Sequence, residues 1–135
     1  MVSIFVKIDG IRGTGTGAHH GWLKAESFSA TQSRDGQLMR LQDAASQALF
    51  RMYSNSTHIQ RMTVDAVRSG RTIWRAELSE VVISGLQVSV VPQPAESLAL
   101  NFLAVEIVVG VGLTAPSTSG HEPGRAWGLA VRRSA

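Results

Sequence analysis

Apolar residues in this chain recur mostly at every second position, the spacing of half-buried strands. Ser3 to Ile8 is such a run, and it stops at Asp9-Gly10, a turn dipeptide. A glycine-rich loop continues through Gly17. Gly21 to Gln32 then reads as a second extended segment around Trp22, Leu23 and Phe28. Arg34-Asp35-Gly36 signals a turn and Gln37 to Leu41 a short strand. One segment departs from this rhythm. From Asp43 onward, Ala45, Ala48, Leu49 and Met52 stand at i, i+3, i+4 and i+7, which puts them on one face of a helix. Asp43 would accept hydrogen bonds from the first turn, Arg51 complements the dipole of the last, and Ser54-Asn55-Ser56 ends the segment. The pattern predicts one amphipathic helix of about three turns.

The next hairpin can be read to its register. A three-residue loop, Ser69-Gly70-Arg71, sets Met62, Val64 and Ala66 opposite Leu78, Ala76 and Trp74. On the other face it pairs Val67 with Ile73 and Asp65 with Arg75. A two-residue loop would place Val64 opposite Arg75 and Met62 opposite Glu77, mixing apolar with charged positions, so the three-residue loop is favoured. Val81 to Val91 continues extended, with Gly85 marking a bulge or kink. Pro92-Gln93-Pro94 forms a turn, and Leu98 to Val109 is a long strand apolar on both faces, central in its sheet or covered by a partner. Leu113 to Gly124 reads as a small polar loop, and Trp127, Leu129 and Val131 alternate in a final strand. Six to eight strands with one short helix predict a mainly β fold, an antiparallel barrel flanked by the helix, with residues 1–135 as a single domain.

Composition narrows the function. Apolar residues make up 44% of the chain and charged residues 17%, the balance of a folded protein rather than a disordered one. There is no cysteine, which removes disulfides and thiolate metal sites. The net charge is +3, but the arginines are scattered (Arg12, Arg40, Arg61, Arg75, Arg125), with Arg132 and Arg133 the densest cluster. Nucleic-acid binders concentrate charge on one face, so scattered arginines read as surface groups or ion-pair partners. The N-terminal apolar run is broken too early, by Lys7 and Asp9, to be a secretory signal. Leu98 to Leu113 falls short of the ~20 apolar residues that span a bilayer. The expectation is a protein made in the cytoplasm, not inserted in membranes, whose export needs no signal peptide.

Chemical motifs are weak. Gly13-Thr14-Gly15-Thr16-Gly17-Ala18 fits a dinucleotide-binding spacing, but His19-His20-Gly21-Trp22 follows where a helix is needed, so a flexible hairpin connection is the expectation. His19, His20, His58 and His121 show no metal-binding spacing and read as surface or turn residues. No nucleophile elbow occurs, and Asn55-Ser56-Thr57 reads as helix-stop chemistry rather than a glycosylation site. No catalytic site, cofactor or metal is expected.

Several segments, in order, resemble one family. Ile4-Phe5-Val6-Lys7-Ile8-Asp9-Gly10-Ile11-Arg12-Gly13 looks like its opening strand, and His20-Gly21-Trp22-Leu23 with Ser27-Phe28-Ser29 like its next segment. Ala48-Leu49-Phe50 and His58-Ile59, Leu78-Ser79-Glu80-Val81-Val82-Ile83-Ser84, Leu100-Asn101-Phe102 and Trp127-Gly128-Leu129 follow in matching order. The chain thus resembles the Hcp family (haemolysin-coregulated protein), the inner tube of bacterial type VI secretion. The resemblance implies a β-barrel with one flanking helix, assembled as a homohexamer. Its rings would stack into a tube that sheath proteins surround, a spike caps, and effector proteins load for export. Two departures stand out. Where the family carries a long ring-stacking arm, Thr31 to Leu41 is short, which leaves Ser33, Arg34, Asp35, Gly36 and Gln37 as the candidate arm. The loop after Val91 is also trimmed, and with the chain ending at Ala135 no fused toxin is expected. The alternative from another class is a small basic barrel that binds nucleic acid or an acidic protein partner.

Overall fold

The computed structural model of the chain describes residues 2–31 and 33–110, together with the backbone of 128–132. The elements are β1 (Val2–Ile8), β2 (Leu23–Ala25), β3 (Ser27–Thr31), β4 (Asp35–Leu41), α1 (Ser46–Ser54), β5 (Ile59–Arg68), β6 (Arg71–Ser89), β7 (Ala95–Val109) and β8 (Gly128–Arg132). They form one antiparallel sheet in the order β2-β1-β5-β6-β7-β4-β3-β8. The sheet curls until β1 approaches β8 and β2 approaches β4, with no ladder joining its two ends among the described residues. The fold is therefore mainly β with one short helix, and the sheet is curled rather than closed by hydrogen bonds. The polar loop expected from Leu113 to Gly124, Trp127, His121 and Gln32 lie outside the described residues.

Alternation places the core. Ile4, Val6 and Ile8 from β1 meet Phe28 and Ala30 from β3, Leu38 from β4 and Leu98 and Leu100 from β7, all essentially inaccessible to solvent. Burial of the larger of these side chains contributes roughly 1.5–3 kcal/mol each. The long strand read as apolar on both faces is central, between β6 and β4, and its outer face carries Ala99, Asn101 and Leu103. The segment read as one extended run from Gly21 is two strands. Glu26, whose N–H donates to Met39 O at 2.7 Å, turns the chain so that β2 pairs with β1 while β3 pairs with β4.

The β5–β6 register matches the sequence reading from Met62↔Leu78 to Ala66↔Trp74, including Asp65↔Arg75. The loop does not. Val67 pairs with Thr72 and Arg68 with Arg71, so the turn is the two residues Ser69-Gly70, with φ of 52° and 76°, and Ile73 is left over as a bulge. A tight turn plus one extra residue gives the same core-face register as a three-residue loop. A second bulge falls between Ile83 and Gly85, as the glycine suggested.

A further irregularity crosses three strands at one level. Ile59 and Met62, Val81 and Leu78, and Phe102 and Val105 are cross-strand partners, three residues apart in each strand, yet all are buried. Strict alternation would put one of each pair outside. Glu80, with φ of 54°, sits where β6 turns over, and its carboxylate meets His58 Nδ1 at 2.9 Å.

The helix starts at Ser46, later than the Asp43 expected. Asp43 instead closes the turn before it, accepting from the N–H of Ala45 at 2.8 Å while its own N–H donates to Ser46 Oγ. Leu49 is buried and Met52 packs on the core. The C-terminus closes with Ser56 N–H on Tyr53 O and Thr57 N–H on Met52 O, Ser56 taking φ of 49°. Glycine suits that left-handed position better than serine, so Ser56→Gly is expected to raise stability by about 0.5–1 kcal/mol, read as an upward shift of the urea midpoint. A lowered midpoint would contradict the left-handed assignment.

Candidate assembly surfaces

The glycine-rich loop is close-packed rather than flexible. Gly13 N–H donates to Gly21 O at 2.7 Å and Gly15 N–H to Trp22 O at 2.8 Å. A Cβ on Gly13 would lie 2.3 Å from Trp22 O, and one on Gly15 2.3 Å from His19 O. Both glycines are therefore needed for backbone approach, not for a phosphate, and the chain runs on from them into a three-residue 3-10 turn, Gly17–His19. That turn places His19 under the loop, 9% exposed, stacked on Phe5 with centroids 4.6 Å apart and edge-on to Trp22. Read as a surface or turn residue, His19 is in a turn but buried. Its Nε2 lies 2.8 Å from Asp65 Oδ2, and Arg75 donates to both oxygens of Asp65, at 2.7 and 2.9 Å. Asp65's hydrogen bonds raise the pKa of Arg75 above its ordinary value, against the lowering effect of partial burial.

Arg40 is 1% exposed, between Glu96 on β7 and Asp43 ahead of the helix. Both arginines thus serve as ion-pair partners inside the fold. Of the other histidines, His20 Nε2 meets Arg12 at 3.1 Å and His58 meets Glu80. No cluster able to hold a metal occurs among the described residues.

The outer surface of the sheet divides by chemistry. Cross-strand partners put Ser27 and Ser29 of β3 beside Met39 and Gln37 of β4, and these beside Ser97 and Ala99 of β7. Ser97 and Ala99 in turn pair with Gln87 and Gly85 of β6. Gln37 Nε2 donates to Ser97 Oγ at 2.8 Å across this face. Asp35 at the top is its one charge among the described side chains. On the other half, Lys7, Asp9, Arg61, Glu77 and Glu80 line a concave polar surface over β1, β5 and β6. One face thus carries serine, alanine, glutamine and Met39 with Asp35 as its one charge among the described side chains, while the other is densely charged.

The candidate arm residues sit together but form no arm. Ser33 and Arg34 make a tight turn, Arg34 having φ of 68° and its N–H bonded to Thr31 O, while Asp35, Gly36 and Gln37 already belong to β4. The turn expected at Arg34-Asp35-Gly36 is therefore one residue earlier. Arg34 O accepts from Phe102 N–H at 3.0 Å, which fixes the turn against β7. Besides the end strands β2 and β8, two long stretches of strand edge lack a ladder partner among the described residues: residues 82–89 of β6 on its β5 side, and 103–109 of β7 on its β4 side. No helix among the described residues is long and apolar enough to cross a membrane.

Comparison with known proteins gives a family. Residues 31–108 match the family described as type VI secretion system effector, Hcp. No curated protein sequence matches significantly. Among solved structures, Hcp2 from Salmonella typhimurium superposes with a TM-score of 0.74 at 20% identity, covering 96% of this chain and 95% of that one. Hcp1 from the same organism gives 0.72 at 19% identity over 79% and 86%. A type VI secretion system effector from Yersinia pestis gives 0.68 at 17% identity over 96% and 99%.

Proposed function

This chain belongs to the Hcp family of type VI secretion, as a tube subunit, and we propose that it acts as a hexameric ring whose channel is lined by the neutral face of β3, β4, β7 and the far half of β6. That face is the observation that carries the reading. A surface of serine, glutamine and alanine, broken only by Met39 and the single carboxylate of Asp35 among the described side chains, keeps a channel wet and offers a passing protein little charge to hold it. The unpaired edge of β6 and the β8 edge that ends the sheet are unlike surfaces. Contacts between unlike surfaces run head-to-tail and close into rings when the rotation permits. In that ring the curled sheet works as a barrel, and residues 1–135 act as one domain.

On this reading the rings stack into a tube inside a sheath, meet a spike at the tip and carry effectors. The subunit is made in the bacterial cytoplasm, leaves without a signal peptide, and catalyses nothing. Negative-stain images of the purified protein are expected to show six-fold rings with an open centre. Compact particles without a channel would overturn the lining assigned here. Arg40 and Arg75, consumed in internal ion pairs, leave the basic-module alternative with fewer cations than its composition suggested.

A further inference from the structure

Asp35 is the single charge among the described side chains of the neutral face, and it is exposed. Asn101 of β7 stands directly across from it. With its amide nitrogen turned toward the carboxylate, Asn101 donates to Asp35 Oδ1 at 2.8 Å and to Leu100 O at 3.1 Å. The carboxylate is thus held in place by a neutral partner, and its charge is not cancelled. No ion pair reaches it among the described residues, not even from its neighbour Arg34. Further along the same face, Gln37 and Met39 of β4 and Ala99 and Ser97 of β7 add no charge.

We infer that Asp35, positioned by Asn101, gives the channel its charge preference and contacts a cationic stretch of the cargo protein. The inference rests on the ring reading. Cyclic symmetry sets all copies of one residue at the same level, so one exposed carboxylate per chain becomes a belt of six in an otherwise neutral wall. Like charges gathered around a polar passage add their fields, and rings of acidic side chains favour cations for that reason. A carboxylate without an ion-pair partner accepts hydrogen bonds from lysine or arginine without first giving up a pair of its own. A neutral or acidic stretch gains nothing there.

Fluorescein-labelled octa-lysine and octa-glutamate peptides are the probes, with particle mass measured on the same samples. The lysine peptide is expected to bind the parent ring and the glutamate peptide not to. Asp35→Asn is expected to weaken lysine-peptide binding roughly tenfold, the loss of about two exposed ion pairs. Salt at ~0.5 M is expected to erase that difference. Asn101→Leu, which keeps the charge but frees it, is expected to fall between the two, and binding equal to the parent overturns the positioning. Glu77→Gln, on the charged face, is expected to bind like the parent; a loss as large as that of Asp35→Asn places the peptide outside the channel and overturns the inference. Asp35→Asn rings that bind like the parent overturn it too, as does a fall in their mass, which would make Asp35 a contact between subunits. Each of these results leaves the ring reading standing. A parent protein with the mass of one chain overturns the ring reading, and this inference with it.

Discussion

Asp65→Ala is expected to destabilise the chain by roughly 3–5 kcal/mol, lowering Tm by roughly 10 °C or more. Asp65 is fully buried and is the shared acceptor for Arg75, which holds it with two hydrogen bonds, and for His19. Removing the carboxylate leaves a guanidinium that is only one-fifth exposed without its counter-charge, and a ring nitrogen without its partner. The damage reaches further than β5. His19 is the contact between the glycine loop and the sheet, stacked on Phe5 and met edge-on by Trp22, so the loop from Gly13 to Trp22 loosens with it. Thermal unfolding measures the loss, and hydrogen exchange of the Gly13 and Gly15 amides reports the loop. A Tm within a degree or two of the parent would show that solvent already screens the pair.

Arg40→Leu is expected to cost a similar roughly 3–5 kcal/mol, and Arg40→Leu/Glu96→Leu to regain most of it. Arg40 stands between Glu96, 3% exposed, and Asp43, whose side chain is 23% exposed, and its Nε has no partner. Losing the cation strands Glu96 in the core, whereas Asp43 can turn to water. Replacing both buried partners removes the stranded charge and leaves apolar groups of similar volume. Chemical denaturation of the two single variants and the double gives the coupling directly. A double variant no more stable than Arg40→Leu would contradict the pairing as the source of the loss.

How far each element is legible in the sequence depends on its physics. The β5–β6 register was legible because one face of the hairpin is wholly apolar and a slip would expose it; the turn was not, since a tight turn with the Ile73 bulge gives the same partners as a longer loop. The Asp65–Arg75 pair came with that register. His19 could not be foreseen in it, being 46 residues distant from Asp65 and brought there by a loop that only glycines allow. The turnover at Glu80 violates the alternation used to read the strands, and so stayed hidden. The neutral face was present as Ser27, Ser29 and Gln37, but alternation alone does not say which outer face a second subunit leaves open. Among the described residues, eight strands and one α-helix fall within the six to eight strands and single helix expected, and the tight Ser33-Arg34 turn leads directly into β4.

The most direct test of the ring reading is the mass of the particle in solution, by light scattering across the gel-filtration peak. A ring predicts six times the mass of one chain, or multiples of that where rings stack. A single species at the mass of one chain, at micromolar concentration and moderate salt, would contradict it.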